Sequence, residues 1–185
     1  MVETVRFVDI EINDEMKAAA AKVLESGQLV KGPECKHLEN SFADMHGTAH
    51  AVGVSNGTAA LLLSMKALGI GDGDQVFVSG HTYFATVSPV LELGGEPVFV
   101  DVDADRYTMD PQQLRKAVAD AENPVAVAVT HMHGQPAEMD AIIDIANEYN
   151  LKVIEDAAQA HGATYDGQPV GSFGDVGCFS FYPTK

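Results

Sequence analysis

The sequence has few cysteines, no tryptophan and no long apolar run. Its two cysteines, Cys35 and Cys178, lie far apart among 185 residues, and neither belongs to a C-x-x-C motif. We therefore expect no disulfide framework and no zinc site, and the cysteine usage fits a reducing cytoplasm. No stretch approaches the roughly 18 apolar residues that a membrane-spanning helix needs, and acidic residues interrupt the first segment where a signal peptide is apolar. Secretion and membrane insertion are therefore not expected.

Basic residues are also scarce. The chain has 11 lysines and arginines against 27 aspartates and glutamates, which gives a formal net charge of −16. Such a surface repels phosphates, so we expect neither a nucleic acid nor an anionic membrane as a partner. The acidity fits either an ordinary solvated surface or adaptation to concentrated salt, in which counterions screen the repulsion between carboxylates. Both interpretations concern the environment of the protein and leave its chemistry open.

The hydrophobic content is sufficient for one sizeable core. Apolar residues make up 46% of the chain, and no repeat or linker divides it. Short β-branched runs followed by turns or helical patterns predict five strands, at residues 51–54, 75–78, 97–100, 125–129 and 152–154. Strands that alternate with helices indicate an α/β fold with a mostly parallel sheet covered by helices.

Helical patterns precede and separate these strands. Two are predicted at residues 14–26 and 34–45, and later ones begin after Asn56, at Asp110-Pro111 and after Pro136. The glycines of G-I-G-D-G-D follow a helix and precede a strand, which is the reverse of the order in a nucleotide-binding loop. We interpret them as a helix end and a turn.

The loops that follow the strands are where a ligand is expected in an open α/β sheet. The segment S-N-G-T lies after a strand and begins a helix, so its free N–H groups and the helix dipole favour a phosphate. Gly57 permits close approach and Thr58 adds a hydroxyl. Taken alone, the segment is more typical of an ordinary helix cap.

Two further loops carry groups suited to a planar cofactor. In H-T-Y-F-A-T, Tyr83 could stack on a ring while Phe84 turns into the core, although a packing aromatic is the simpler interpretation. In V-I-E-D-A-A-Q-A-H-G, a strand delivers adjacent acids to the ligand-bearing edge. A carboxylate there can pair with a cationic ring nitrogen, and we favour Asp156 because it comes last, whereas Glu155 caps a neighbouring element.

The segment F-S-F-Y-P-T-K ends in a candidate nucleophile. Lys185 can condense with the aldehyde of pyridoxal phosphate, and Ser180 is available to a phosphate. A lysine considered without the other motifs is most simply a solvated side chain. His131 and His133 alternate along a strand end and suggest a metal pair, but no third ligand has suitable spacing, so we predict no metal site.

Together, in this order, the segments S-N-G-T-A-A-L, H-T-Y-F-A-T, H-G-Q-P-A-E-M-D, V-I-E-D-A-A-Q-A-H-G-A and F-S-F-Y-P-T-K resemble the DegT/StrS family of sugar aminotransferases. The resemblance runs nearly end to end. It implies the aspartate-aminotransferase-like, type I pyridoxal phosphate architecture. It also implies that Lys185 forms the Schiff base, Asp156 pairs with the pyridine nitrogen, Gln159 reaches the ring hydroxyl and Tyr83 stacks on the ring. The phosphate would be held by Gly57, Thr58 and Ser180.

The implied reaction is transamination of a keto sugar nucleotide with glutamate or glutamine as the amino donor, with pyridoxal 5'-phosphate as cofactor. A related branch resembles sugar dehydratases in which a histidine replaces the lysine, so Lys185 favours transamination. A regulatory protein on the same scaffold, an inactive fragment and a subunit of a split enzyme stay open as alternatives.

The resemblance also sets expectations about organisation. Members of the family continue beyond this lysine and form homodimers, so residues 1–185 are expected to be the N-terminal part of the large cofactor-binding domain. The small C-terminal domain would then be absent from this chain. If these residues were the whole product, exposed sheet edges and apolar helix faces would favour aggregation or association with another chain.

Overall fold

The computed structural model describes residues 10–185, and the chain divides into two compact units. One unit contains the first two helices up to Gly53, together with residues 182–184. The other contains Val54–Phe181 and Lys185 and holds the sheet. No helix within residues 10–185 is both long enough and apolar enough to cross a membrane.

Two capped helices form the described part of the first unit. Helix α1 spans Asp14–Ser26, as predicted, and the Asn13 side chain caps it by accepting a hydrogen bond from the Met16 amide. Helix α2 spans Pro33–His46, one residue longer at each end than predicted. Both helices are followed by a glycine with positive φ, a common way to end a helix.

The second unit is built on a five-stranded parallel sheet. Its strands are β1 Gln75–Ser79, β2 Glu96–Val100, β3 Pro124–Thr130, β4 Lys152–Asp156 and β7 Val176–Cys178. They lie side by side in the order β2-β1-β3-β4-β7. A separate ribbon pairs the two-residue strands β5 Thr164–Tyr165 and β6 Gln168–Pro169. The predicted α/β class and mostly parallel sheet are confirmed.

Four of the five predicted strands are present, and the strand predicted at residues 51–54 is wrong. That segment is without strand structure, and Val52 is 72% exposed. The Gly53 amide donates instead to the Glu39 carboxylate at 3.0 Å. Among residues 10–185, no strand pairs with this β-branched run, and β-propensity acts only where a partner and a buried face exist.

Four helices accompany the sheet: α3 Gly57–Ala67, α4 Ser88–Glu92, α5 Pro111–Ala119 and α6 Met139–Tyr149. Successive strand residues point to opposite faces, so the sheet builds two cores. Phe77, Val127 and Val153 pack with α5 and α6 in one core. The alternate strand residues Val78 and Ile154 pack with α3 and α4 in the other.

Close packing explains a glycine in the segment before β7. Gly171 has φ +85°, and a Cβ there would lie 2.5 Å from the Phe179 ring. Gly69 and Gly73 of the segment G-I-G-D-G-D lie between the end of α3 and the start of β1, and both have positive φ. Their prediction as a helix end and turn is confirmed.

Candidate active site

The candidate site lies at one edge of the sheet in the second unit. The parallel strands β1, β3, β4 and β7 all end there, because parallel strands share their carboxyl-terminal edge. Three features meet the loops that leave this edge: the first turn of α3, the Phe84–Thr86 turn after β1, and the chain that follows β7. The predicted site residues belong to these segments or, for Asp156 and Gln159, to the end of β4 and the turn that follows it.

A cradle forms between the start of α3 and the chain after β7. A Cβ placed on Gly57 would lie 3.0 Å from the Cβ of Ser180 and 3.4 Å from its hydroxyl oxygen, so only glycine fits without displacement. Asn56 caps the helix by accepting from the Ala59 amide. Within residues 10–185, the amides of Gly57 and Thr58 have no hydrogen-bond partner and remain as donors. This arrangement fits a phosphate group.

Asp156 is a buried carboxylate at the last position of β4 and is 5% exposed. Its Oδ2 accepts from the Thr86 hydroxyl at 2.6 Å, and its Oδ1 accepts from the Ala158 amide at 3.2 Å. Two donors cannot fill the acceptor positions of a carboxylate, which has about four lone-pair sites. A cationic nitrogen would satisfy the remainder, so the residue fits the pyridinium partner that the sequence predicts.

Three threonine hydroxyls lead to this carboxylate. Thr86 lies 2.7 Å from Thr82, and Thr82 lies 2.8 Å from Thr130, measured between hydroxyl oxygens. Thr130 is the last residue of β3, and its amide donates to the Ser79 hydroxyl at the end of β1. The hydroxyl chain therefore crosses the ends of neighbouring strands beside the candidate site.

Gln159 and Tyr83 lie in the segments that follow β4 and β1 at the same edge, and Lys185 lies in the chain after β7. The side-chain oxygen of Gln159 accepts from the His133 amide at 2.9 Å, which leaves its NH₂ group as a donor. Tyr83 is 71% exposed at the start of the turn that carries Thr86. Lys185 is exposed, and no hydrogen bond or ion pair joins it to another candidate residue within residues 10–185.

Two expectations about neighbouring residues are wrong. Phe84 does not turn into the core but is 67% exposed, because the turn directs Thr86 inward instead. His131 and His133 do not share a face. His131 is fully buried, whereas the chain turns at His133, whose φ is 56° and whose ring lies 5.8 Å from that of His81. Within residues 10–185, no group of three potential ligands is arranged for a metal.

Glu155 is buried next to Asp156 but has a different environment. It accepts from the amides of Gly171, Phe173 and Gly174 at 2.6, 2.7 and 2.8 Å and from His131 Nε2 at 3.0 Å. Burial raises the pKa of Glu155, but the hydrogen bonds from His131 and the amides outweigh it and leave the pKa below its ordinary value. Hydrogen-bond donors therefore fill the acceptor positions of Glu155, and its carboxylate holds the loop before β7. This contact agrees with the predicted role of Glu155 as a cap for a neighbouring element.

The tautomer of His131 follows from its two contacts. Its Nδ1 accepts from the Ala137 amide at 3.1 Å, so that nitrogen carries no proton when the bond is made. Nε2 then carries the proton and donates to Glu155. This pair is structural and leaves Asp156 as the carboxylate available at the edge.

Comparison with known proteins agrees with this geometry. The model of the DegT/DnrJ/EryC1/StrS aminotransferase family matches residues 10–185. The chain belongs to this family. Its mostly parallel sheet with covering helices is the architecture of that family's solved structures, and the structural neighbours include pyridoxal-phosphate-dependent aminotransferases.

Individual members of the family are also similar. A UDP-N-acetyl-3-dehydro-α-D-glucosamine 3-aminotransferase of Acidithiobacillus ferrooxidans is 43% identical over 94% of this chain and 47% of its own length. A dTDP-3-amino-3,4,6-trideoxy-α-D-glucose transaminase of Streptomyces venezuelae is 44% identical over 95% of this chain and 46% of its own. The solved PLP form of Spr1654 from Streptococcus pneumoniae, assigned as a sugar aminotransferase, superposes with a TM-score of 0.91 at 29% identity, covering 99% of this chain and 50% of its own. The chain therefore spans about half the length of the relatives it matches.

The hydroxyl chain beside Asp156 is not predicted by the sequence motifs. Thr82 and Thr86 both occur in the segment H-T-Y-F-A-T, in which the aromatic residues are the more evident candidates. Their four-residue separation within a turn is the signal that could have indicated a shared direction. The contribution of Thr130 depends on the pairing of β3 with its neighbours, which the sequence does not state.

Proposed function

We propose that the protein is a pyridoxal-phosphate-dependent aminotransferase that moves an amino group from glutamate or glutamine to a keto sugar nucleotide. The observation that carries the proposal is Asp156, a buried carboxylate with acceptor capacity left at the ligand-bearing edge of the sheet. Membership of the family and the keto sugar named for the Acidithiobacillus ferrooxidans relative support this substrate class.

Different residues of this chain would bind different groups of the cofactor. Gly57 and Thr58 donate amides, and Thr58 and Ser180 add hydroxyls, so together they fit the cofactor's phosphate. Asp156 would pair with the ring nitrogen and keep it protonated, because the opposite charge is close and shielded from water. Gln159 offers an NH₂ donor suited to the ring hydroxyl.

Two residues would act at the reacting face. Tyr83, exposed beside the site, would stack on the ring. Lys185 would hold the cofactor through its Nζ, and the same Nζ would carry a proton at the reacting face. Bound pyridoxal phosphate supplies the aldehyde and a ring that accepts the electron pair left when the neighbouring C–H bond breaks.

The proposal also concerns the domain organisation, the oligomeric state and the location of the protein. Residues 1–185 form the N-terminal part of the large cofactor-binding domain, and the chain's span of about half its relatives supports this. A small domain and a homodimer partner would complete the site. A cytoplasmic location agrees with two unpaired cysteines, one exposed and one buried.

Covalent trapping tests the cofactor assignment. The protein is incubated with pyridoxal phosphate, reduced with borohydride and digested, and its peptides are identified by mass spectrometry. We expect the phosphopyridoxyl label on Lys185 and none on the exposed Lys66 of α3, and no label in a Lys185→Gln variant. Equal labelling of both lysines would show that the site does not direct the cofactor.

A transfer assay tests the reaction itself. The protein is given glutamate or glutamine labelled with ¹⁵N at the α-amino group, together with a keto sugar nucleotide, and the sugar product is analysed for ¹⁵N. Transamination predicts one labelled nitrogen on the sugar, whereas a dehydratase would release a deoxygenated sugar without it. Asp156→Ala should reduce turnover more than substrate binding. Full turnover in that variant would refute the role of the carboxylate in stabilising charge.

A further inference from the structure

We propose that Thr86 is a positioning residue: at the end of an ordered chain of three threonine hydroxyls, it fixes the orientation of the Asp156 carboxylate. The inference rests on the proposed function, in which Asp156 pairs with the ring nitrogen of the cofactor. The chain joins Thr130, Thr82, Thr86 and Asp156 through oxygen–oxygen distances of 2.8, 2.7 and 2.6 Å.

The direction of the hydroxyl chain follows from proton counting. A threonine hydroxyl has one proton to donate, and an ionised carboxylate only accepts. The proton of Thr86 is used on Asp156, so Thr82 must donate to Thr86. The proton of Thr82 is then used as well, and Thr130 must donate to Thr82. All three dipoles therefore point toward the carboxylate.

Burial makes this order persistent at both ends of the hydroxyl chain, whereas Thr82 in the middle is half-buried. Thr86 is fully buried and Thr130 is 7% exposed, so water has little access to exchange with either hydroxyl. Hydrogen bonds in such surroundings are stronger than in water, and neighbouring hydroxyls polarise one another. The short 2.6 Å contact is typical of a hydroxyl that donates to a charged oxygen.

The carboxylate is held at both oxygens. Thr86 fixes Oδ2 and the Ala158 amide fixes Oδ1, so rotation about the last side-chain bond would break at least one hydrogen bond. The Ala158 bond is the longer, at 3.2 Å, and comes from a residue only two positions away. Thr86 is thus the anchor that comes from a different part of the chain, and without it the carboxylate would sample other orientations.

The chain itself offers the matched variants for a test. Thr86→Val keeps the shape but removes the hydroxyl, and Thr86→Ser restores it. Thr108→Val is the control, because Thr108 is also buried, at 1% exposure, and its hydroxyl has no hydrogen-bond partner within residues 10–185. Thr82→Val removes the donor behind Thr86, and Asp156→Asn reports the loss of the carboxylate itself.

Three properties of the full-length protein are compared after reconstitution with pyridoxal phosphate. They are the rate at which the cofactor dissociates on dialysis, the ratio of its visible absorption bands at neutral pH, and the separate kcat and KM values for glutamate. Circular dichroism and thermal unfolding establish that each variant is folded.

We expect Thr86→Val to lower kcat about tenfold, to change the band ratio in the direction seen for Asp156→Asn and to speed cofactor loss, because a hydrogen bond to a charged group typically shifts an equilibrium by about this factor. The KM for glutamate should change little. Thr82→Val should act in the same direction and more weakly. Thr86→Ser should recover most of each property, and Thr108→Val should resemble the unmodified protein.

Two results would overturn the inference. Thr86→Val could match Thr108→Val in all three properties while Asp156→Asn is impaired, which would show that the carboxylate acts without its hydroxyl anchor. Thr86→Val and Thr86→Ser could instead be equally impaired, which would indicate a packing role. If Asp156→Asn also behaved as the unmodified protein, the proposed function itself would fail, and the inference with it.

Discussion

Replacing Glu155 with glutamine should destabilise the fold severely, although the two side chains have nearly the same shape. Glu155 accepts four hydrogen bonds, two at each carboxylate oxygen: His131 Nε2 and the Gly171 amide at Oε2, and the Phe173 and Gly174 amides at Oε1. Glutamine keeps one oxygen and places an NH₂ group at the other position. Whichever way the amide is oriented, that NH₂ group faces two donors in a buried site.

The magnitude follows from the number of bonds lost. Two hydrogen bonds to a charged group, at about 1.5–3 kcal/mol each, amount to a loss of about 3–6 kcal/mol in the free energy of unfolding. His131 cannot compensate by moving its proton, because its Nδ1 already accepts from the Ala137 amide. A typical domain has a total stability of about 5–15 kcal/mol, so the variant should be close to unfolding.

Urea unfolding followed by circular dichroism measures this loss. With a urea dependence of about 2 kcal/mol per molar, the midpoint should fall by about 1.5–3 M. Glu148→Gln is the control, because it removes an exposed ion pair with Arg115 and should leave the midpoint nearly unchanged. A loss below about 1 kcal/mol in Glu155→Gln would refute the reasoning, since it would be less than one hydrogen bond to a charged group is worth.

Three further predictions address acid, thiols and the cradle. The pKa of Glu155 lies below its unfolded value, so its stabilisation should be present above about pH 4.3 and disappear as the pH falls through the folded pKa, which acid unfolding with and without Glu155→Gln would detect. Burial raises the pKa of Cys178 to about 12, so iodoacetamide at mildly alkaline pH should label the exposed Cys35 and spare Cys178 until the protein unfolds; equal labelling would contradict this. Gly57→Ala should weaken pyridoxal phosphate binding about tenfold in a titration, because its Cβ enters the cradle, whereas Gly71→Ala, with open space around its Cβ, should not.

The sequence was most informative where local chemistry and global fold agree. Helix α5 begins at Pro111 with the Asp110 side chain accepting from the Gln112 amide, as the Asp-Pro pair predicts. The buried strands β1, β3 and β4 were found because their β-branched runs match a helix-covered parallel sheet. Residues 51–54 have a similar composition but no partner strand in the described part of the chain, so composition alone could not distinguish a strand from a segment without strand structure.

The candidate site could be predicted only in part from the sequence, for a related reason. Asp156, Gly57 and Ser180 could be chosen from motif order, and their burial and close approach fit the predicted roles, which stay predictions until the cofactor is tested. No sequence motif indicates the residues that act through other residues. Thr86 reaches Asp156 across 70 positions of sequence, and this proximity exists only after the strands have assembled.

The adjacent acids Glu155 and Asp156 show how one strand can serve stability and chemistry together. Successive residues of β4 point to opposite faces of the sheet. Glu155 therefore lies on the same face as Val153, and Asp156 lies on the same face as Ile154. Glu155 meets the loop before β7, whose three amides satisfy it together with His131 Nε2. Asp156 emerges on the face that carries α3, where Thr86 holds it with acceptor capacity unused. Exchanging the two acids, as Glu155→Asp with Asp156→Glu, should impair both the fold and the site, because each position is defined by side-chain length and by the donors on its own face.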